Sequence, residues 1–148
     1  MTDMPEGDLE AISLLIPRLI GALQRRMVRN LAGDGLTFPQ FVTLHMLECA
    51  GGECTMGPLA AAAMQSAAAM TGIVDRLLER GLVQRERHPQ DRRSVVVRLT
   101  AAGRALLDRA RENRLRWQRL LLEPLSPEER RAVRLALEKV IASLDEGS

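Results

Sequence analysis

The feature that most constrains the fold is a short arginine-rich segment from Arg80 to Leu99. It carries six arginines against two acids, in a chain whose net charge is only +2. Polarity alternates over 83–87, turn-forming residues occupy 88–91, and β-branched residues dominate 94–99. This pattern predicts a β-hairpin with a basic tip. Arginines at such a tip can pair with phosphates or enter a narrow minor groove, although a basic hairpin can also be only a solvated surface.

The helices predicted before this hairpin belong with it to one structural unit. Ser66 is a good N-cap for a helix over 67–80, and Gly81 suits the left-handed residue that follows a helix. Two shorter helices are predicted upstream, one opened by a capping box at Thr37 and one capped by Thr55. Two short helices, a tight break, a longer helix and a basic hairpin together make a winged helix-turn-helix, with the hairpin as its wing.

Apolar residues at helical spacing predict further helices outside this unit. One covers about 9–32, where Pro17 predicts a kink or a later helix start, and two fall within 101–145. A winged helix of about 65 residues can bury its own core, so the apolar stripes of the outer helices need another surface. Pairing with a second copy is the economical solution. Two reading helices related by a two-fold axis predict a palindromic operator.

The predicted fold class is mainly α with a small β-hairpin wing. We predict one domain over 1–148, in which a DNA-binding lobe at about 36–100 lies between dimerisation helices at about 9–32 and 101–145. The chain is long enough to bury a core without disulfides or metal. Because it has no apolar run of 18 residues and no basic leader in residues 1–8, we expect a cytoplasmic protein with no membrane partner.

The chain resembles the MarR family of bacterial transcriptional regulators in helix order and in two motifs. The first motif is VDRLLERGLV at 74–83, and the second is the DRR of 91–93 followed by LTAAG at 99–103. The resemblance spans about 9–145. It implies a homodimer that binds double-stranded DNA sequence-specifically, represses from a palindromic operator, and is released by a small, often aromatic, ligand.

The resemblance places the DNA contacts on the longer helix and the wing. Arg93 is implied to be the wing-tip arginine at the minor groove, and Asp91 to hold the wing by pairing with Arg76. A turn-forming role for Asp91 is compatible with that pairing. Gly72 occupies a position often filled by a polar or basic reader, which favours reliance on the wing and on DNA shape. The candidate DNA-binding residues are Gln65, Ser66, Ala67, Thr71, Arg76, Arg92 and Arg93, with Asp91 structuring the wing.

Candidates for ligand binding lie where the outer helices should meet the DNA-binding lobe, and none forms a motif. His45 on an apolar helix face is more often a satisfied core histidine, and Trp117 and the methionines are more often packing residues. Cys49 and Cys54 flank a glycine-rich loop and could approach disulfide geometry on oxidation, although thiol sensors of this family generally carry the reactive cysteine in the first helix. The ligand-binding candidates are Arg18, Met27, His45 and Trp117.

Three classes of function follow from these patterns. The leading one is the DNA-binding regulator. The alternatives are a thiol-based redox-sensing regulator that uses Cys49 and Cys54, and a helical protein-interaction module that does not bind DNA. An enzyme is disfavoured because the sequence has no nucleophile elbow, no metal-ligand spacing and no phosphate-cradling glycine loop. We therefore expect no catalytic residue, no metal and no cofactor.

Overall fold

The computed structural model describes residues 5–147. The single-domain prediction also covers residues 1–4 and Ser148, which lie outside the described residues. Half of the 1–8 segment, in which we expect no leader, lies outside them as well. The elements are α1 (Glu6–Gly33), α2 (Phe38–Cys49), β1 (Glu53–Thr55), α3 (Met56–Ala62), α4 (Ala67–Glu79), β2 (Val83–Arg87), β3 (Val95–Leu99), α5 (Ala101–Leu122) and α6 (Pro127–Glu146). The chain divides within α5 into two compact units, the first up to Arg111 and the second from Glu112.

The ends of α2 and α4 follow the capping residues predicted from the sequence. Thr37 and Gln40 exchange side-chain and backbone hydrogen bonds of 3.1 and 3.4 Å at the start of α2, which is the predicted capping box. The Ser66 hydroxyl accepts a hydrogen bond of 3.1 Å from the backbone N–H of Ala69 in α4. Gly81 has φ +68° just after α4 ends, a conformation in which a side chain would be strained. Local polar chemistry therefore sets these boundaries.

The first helix starts earlier than Pro17, the later of the two starts that the sequence allows. It begins at Glu6 and continues through Pro17 to Gly33, so a start near Pro17 is wrong. Glu6 and Asp8 in the first turn favour the early start, because acidic side chains interact well with the positive end of the helix dipole. The helix accommodates the proline at the cost of one backbone hydrogen bond.

The predicted hairpin is confirmed as the larger part of a three-stranded antiparallel sheet ordered β1-β3-β2. All five residues of β2 pair with β3. The third strand, Glu53–Thr55, pairs with the other edge of β3 and is not predicted by the sequence. Three residues are too few to show an alternating pattern. Gly51 and Gly52, with φ of +83° and +99°, form the turn that leads from α2 into β1.

The core of the first unit is formed by the end of α1, by α2, α3 and α4, by the sheet and by the first turns of α5. Thr43 is fully buried within it, and its hydroxyl donates to the backbone carbonyl of Pro39 at 2.8 Å, so the polar group is satisfied. This core fixes α4 against the hairpin. The fully buried apolar side chains are Leu44, Leu47, Leu59, Met70, Val74, Leu77, Val97, Leu106 and Leu107.

The second unit contains the rest of α5 and α6. Ser126 and Glu129 form a capping box at the start of α6, and Pro127 occupies its first turn. No residue of α6 is buried. Among residues 5–147, no helix combines the length and apolarity needed to cross a membrane.

Candidate DNA-binding interface

The arginines of the 80–99 segment differ in whether they have partners within the chain. Arg98 lies on the central strand, donates to Glu53 of β1 at 2.5 Å, and contacts Glu86 of β2. The hydrogen bond to Glu53, followed by the charges of both acids, raises the pKa of the Arg98 guanidinium above its ordinary value. Arg98 therefore crosslinks the three strands and is occupied in doing so.

Two more of these arginines connect α4 to its neighbours. Arg85 on β2 donates to the Asp75 carboxylate of α4 at 2.7 Å. Arg80, just after α4, donates to the backbone carbonyls of Gly35 at 2.6 Å and Asp34 at 3.2 Å, in the loop that follows α1. Arg85 therefore connects α4, the helix predicted to contact DNA bases, to the hairpin. Arg80 connects the end of α4 to the loop that follows α1.

The remaining arginines, Arg87, Arg92 and Arg93, are exposed and have no side-chain acceptor among residues 5–147. Their guanidinium groups therefore keep all of their donors for a partner molecule. Arg87 is not among the contacts predicted from the sequence. The alternation of the strand could have identified it, because Arg85 and Arg87 are two residues apart and so lie on one face of β2.

Asp91 structures the tip of the wing, but not in the way that the resemblance implies. Its Oδ1 accepts a hydrogen bond of 3.0 Å from the backbone N–H of Arg93, which is the turn-forming role that the sequence also allows. The expected pairing with Arg76 is absent from the described residues. The ion pair that connects α4 to the hairpin joins Asp75 to Arg85 instead, because Arg85 lies on the strand beside the helix whereas Asp91 lies in the turn.

The outward face of α4 is made of small residues near its N-terminus. Ala67, Ala68, Thr71 and Gly72 are all exposed, on the side opposite the buried stripe of the helix. The Thr71 hydroxyl donates to the backbone carbonyl of Ala67 at 3.0 Å. Apart from its chain neighbours and the nearby backbone of α4 itself, no atom lies within 4 Å of the place where a Cβ on Gly72 would be. The helix can therefore approach another molecule closely along this face.

α4 and the hairpin together line one open cavity. A cavity of about 320 Å³ is lined by Ala67 and Thr71 of α4, by Arg85 and Val95 of the hairpin, and by the start of α3. Gln65 and Arg76 lie apart from it, on a second cleft of about 410 Å³ that also includes Gly72. Gln65 is half-buried, whereas Arg76 is exposed.

His45 is not the core histidine that the sequence favours. Its side chain is 44% exposed, and its ring stacks parallel to Phe41 with centroids 6.1 Å apart. The Nε2 atom lies 3.7 Å from the Cys49 sulfur, and Nδ1 lies 4.0 Å from the Glu48 carboxylate, which pairs with Arg111 at 2.6 Å. The helix face that carries His45 is at the edge of the core, where a polar ring remains hydrated.

The other ligand and redox candidates occupy separate elements. Arg18 is exposed on α1 beside a groove of about 660 Å³ that is lined mainly by apolar residues of the same helix. Met27 is partly buried against the core, and Trp117 is half-buried in the second unit. Cys49 ends α2 and Cys54 lies in β1, both as free thiols. Over residues 5–147, no group of three or more His, Cys, Asp or Glu side chains is placed to hold a metal ion.

Comparisons with known proteins agree with this arrangement. The MarR family profile matches residues 36–95. The chain is 40% identical over 108 residues to the HTH-type transcriptional repressor NicR of Pseudomonas putida, covering 73% of this chain and 68% of NicR. It is 31% identical over 136 residues to the HTH-type transcriptional regulator PecS of Dickeya dadantii, covering 90% of this chain and 78% of PecS.

Solved structures extend the likeness to the whole fold. A MarR family protein from Bacillus stearothermophilus superposes with a TM-score of 0.80 at 28% identity, covering 97% of this chain and 99% of that one. The apo form of wild-type MarR from E. coli superposes with a TM-score of 0.74 at 26% identity, covering 95% and 98%. Together with the winged helix, these relatives show that the chain belongs to the MarR family and is a DNA-binding transcriptional regulator rather than an enzyme.

Proposed function

We propose that this chain acts in the cytoplasm as a homodimer that represses transcription from a palindromic operator and is released by a small ligand. The observation that carries the proposal is the set of arginines without internal partners, Arg87, Arg92 and Arg93, on the hairpin beside the exposed face of α4. Such donors are suited to phosphate oxygens and to the narrow minor groove. Repression is the activity named for the relative NicR.

Different parts of this surface suit different parts of the DNA. The start of α4, with Ser66 as N-cap and Gln65 before it, offers backbone N–H groups to a phosphate. Ala67 and Thr71 lie on the face that would enter the major groove, and Arg76 follows further along the helix. The hairpin supplies the contacts to phosphates and the minor groove, through Arg87, Arg92 and Arg93.

Dimerisation is proposed from apolar surface that the single chain leaves uncovered. On α1, Leu9, Ile12, Ile16 and Ile20 are 48–54% exposed. On α6, five apolar side chains at helical spacing are 39–67% exposed, namely Val133, Leu137, Val140, Ile141 and Leu144. Helices with continuous exposed apolar stripes are typical of subunit interfaces. A two-fold dimer would present two α4 helices to half-sites about ten base pairs apart.

The operator can be found by selecting bound duplexes from a random-sequence pool. We expect the wild-type protein to enrich a palindrome with half-sites about ten base pairs apart. Arg93→Ala should lose the enrichment, whereas Arg109→Ala, which removes an exposed charge from α5, should keep it. Sedimentation should show a dimer in all three proteins. Absence of enrichment with the wild type and both variants would reject the palindromic operator that we propose.

The ligand proposal rests on the apolar groove beside Arg18, whose lining residues Ile12 and Ile16 also belong to the stripe proposed for dimerisation, so that the ligand would bind at the subunit interface. Two cations, Arg18 and Arg25, at an apolar groove suit a small aromatic carboxylate, which has one apolar face and one anionic end. Benzoate is the simplest probe. We expect it to weaken operator binding of the wild type and to have less effect on Arg18→Gln, which keeps a polar side chain without its charge. An equal effect on both proteins would place the ligand elsewhere.

A further inference from the structure

The first two turns of α4 present few free hydrogen-bonding groups on their exposed face. Ala67, Ala68 and Gly72 have no polar side-chain atom. Thr71 does have a hydroxyl, but it donates its proton to the Ala67 carbonyl at 3.0 Å. Asp75, one turn further on, accepts from Arg85 at 2.7 Å. The groups left for contact with a base are therefore methyls and the Thr71 oxygen, which can accept a hydrogen bond but has no proton left to donate.

The bases differ in what they offer to a methyl group in the major groove. Guanine, adenine and cytosine are read there through hydrogen-bond donors and acceptors, whereas thymine adds its C5-methyl. Covering a donor or acceptor with an apolar group without replacing its hydrogen bond is unfavourable. Contact between two methyl groups removes apolar surface from water and is favourable.

We propose that α4 recognises thymine C5-methyl groups in the operator half-site, with the γ-methyl of Thr71 as the specificity-determining contact and the Cβ atoms of Ala67 and Ala68 beside it. This inference rests on the proposed function, because it names the chemistry by which the same surface reads its DNA. The half-site is then specified by thymine positions under α4 and by DNA shape under the hairpin.

The surroundings of Thr71 allow the close approach that such contact needs. Apolar groups interact only when their heavy atoms come within about 4–4.5 Å. Thr71 lines the open cavity of about 320 Å³ between α4 and the hairpin. Its neighbour Gly72 has no side chain, and nothing lies within 4 Å of the space that a Cβ would fill. A base can therefore approach the helix closely at Thr71 and also at Gly72, which lines the adjacent cleft.

Arg85 is the competing reader, since it lines the same cavity. Its guanidinium has N–H donors beyond the one given to Asp75, and arginine commonly binds guanine O6 and N7. The pair with Asp75 orients Arg85 toward the helix and neutralises it locally. The two readings predict losses of affinity for different chemical changes in the DNA, so they can be separated without changing the protein.

The test uses the duplex enriched from the random-sequence pool. Each thymidine of one half-site is replaced in turn by deoxyuridine, which removes only the C5-methyl and keeps base pairing. We expect affinity to fall about fourfold at one or two positions, the loss for one buried methyl group. In a parallel series, each guanosine is replaced by 7-deazaguanosine, which removes the N7 acceptor and should have little effect under α4.

Thr71→Ser supplies the matched protein variant, because it removes the γ-methyl and keeps the hydroxyl that bonds to Ala67. We expect it to bind the thymidine duplex about fourfold more weakly than the wild type does. It should lose nothing further on the deoxyuridine duplex, so that the two changes are not additive. Arg93→Lys, which alters only the wing, is the control and should keep the full deoxyuridine effect.

The possible outcomes distinguish a failure of the thymine-methyl proposal from a failure of the proposed function. If deoxyuridine is harmless at every position, or if 7-deazaguanosine costs more affinity than deoxyuridine, methyl recognition by Thr71 is overturned while DNA-binding regulation stands. Additive losses for Thr71→Ser and deoxyuridine would also overturn the assignment to Thr71. If no duplex is enriched in the selection, the proposed function itself fails.

Discussion

Gly103 of α5 lies against the backbone of Leu82, so closely that a Cβ on Gly103 would overlap the Leu82 carbonyl oxygen. Thr100 completes the junction. Its hydroxyl donates to the Gly81 carbonyl at 2.7 Å and accepts from the Gly103 N–H at 3.1 Å. This contact explains physically why the LTAAG motif has threonine and glycine three residues apart. It joins the start of α5 to the base of the hairpin.

Gly103→Ala should therefore destabilise the protein. The nearest atom is backbone, so the hairpin base or the start of α5 must move, and overpacking of this kind costs about 1–3 kcal/mol. Alanine's better helix propensity offsets only part of that cost. Chemical denaturation monitored by circular dichroism measures the difference in the free energy of unfolding.

Gly72→Ala is the matched control for this substitution. It also places alanine in a helix, but at a site with nothing within 4 Å of the new Cβ. We expect a gain in stability of up to about 1 kcal/mol. Equal effects at Gly72 and Gly103 would mean that the close approach to Leu82 does not constrain the junction.

Ser66 combines a structural role with a proposed phosphate contact, and two substitutions separate them. Ser66→Ala removes the cap of α4 and should cost about 1 kcal/mol of stability. Ser66→Asp keeps a capping oxygen and adds a charge that suits the helix N-terminus, so stability should be retained. Its carboxylate would repel a phosphate at that position. We expect Ser66→Asp to weaken operator binding in a titration although the protein is as stable as the wild type.

An undiminished operator affinity for Ser66→Asp would contradict the phosphate contact at this helix end. Thr37→Asp gives the control at another N-cap. Thr37 caps α2 by a capping box with Gln40, so the aspartate should again preserve stability. This helix end lines a cleft with Gln65 and Arg76 but is not itself among the proposed DNA contacts, so operator affinity should change less there than at Ser66.

The parts of the fold that can be predicted are those set by local chemistry. The cap at Ser66 and the glycine after α4 act within a few residues of the chain, so the sequence alone locates them. β1 cannot be located in this way, because its three residues are a strand only through pairing with the distant β3. The start of α1 is ambiguous in the sequence, because Pro17 and the acidic first turn favour different start points.

In the candidate site, too, the features set by local chemistry can be predicted from the sequence, whereas those set by tertiary contacts cannot. Exposure of Ala67, Thr71 and Gly72 follows from helical periodicity, and the sequence places them outward. The partner of each arginine depends on tertiary distances. Arg85 reaches Asp75 on another element, and Arg98 reaches across to β1. A count of arginines therefore overstates the charge available to DNA, because half of the six in this segment have partners within the chain.

Arg87 is expected to contribute to DNA binding as one of the arginines without an internal acceptor. Removing one phosphate contact per subunit should reduce the slope of log affinity against log salt by about 0.9 per subunit. We therefore expect a smaller slope for Arg87→Ala than for the wild type. Arg109→Ala removes the same charge from α5 and should leave the slope unchanged. Identical slopes for all three proteins would exclude Arg87 from the interface.

The ion pair between Asp75 and Arg85 should restrain non-specific binding. It is about half exposed, with the two side chains 49% and 38% accessible, so its contribution to stability is about 0–1 kcal/mol. Asp75→Asn releases Arg85 and removes a negative charge near the DNA. We expect binding to random-sequence duplex to strengthen, with a salt slope larger by about 0.9 per subunit, the value for one added phosphate contact. The double variant Asp75→Asn with Arg85→Gln should lose most of this gain. A gain that persists in the double variant would show that removal of the Asp75 charge, and not the released guanidinium, accounts for the tighter binding.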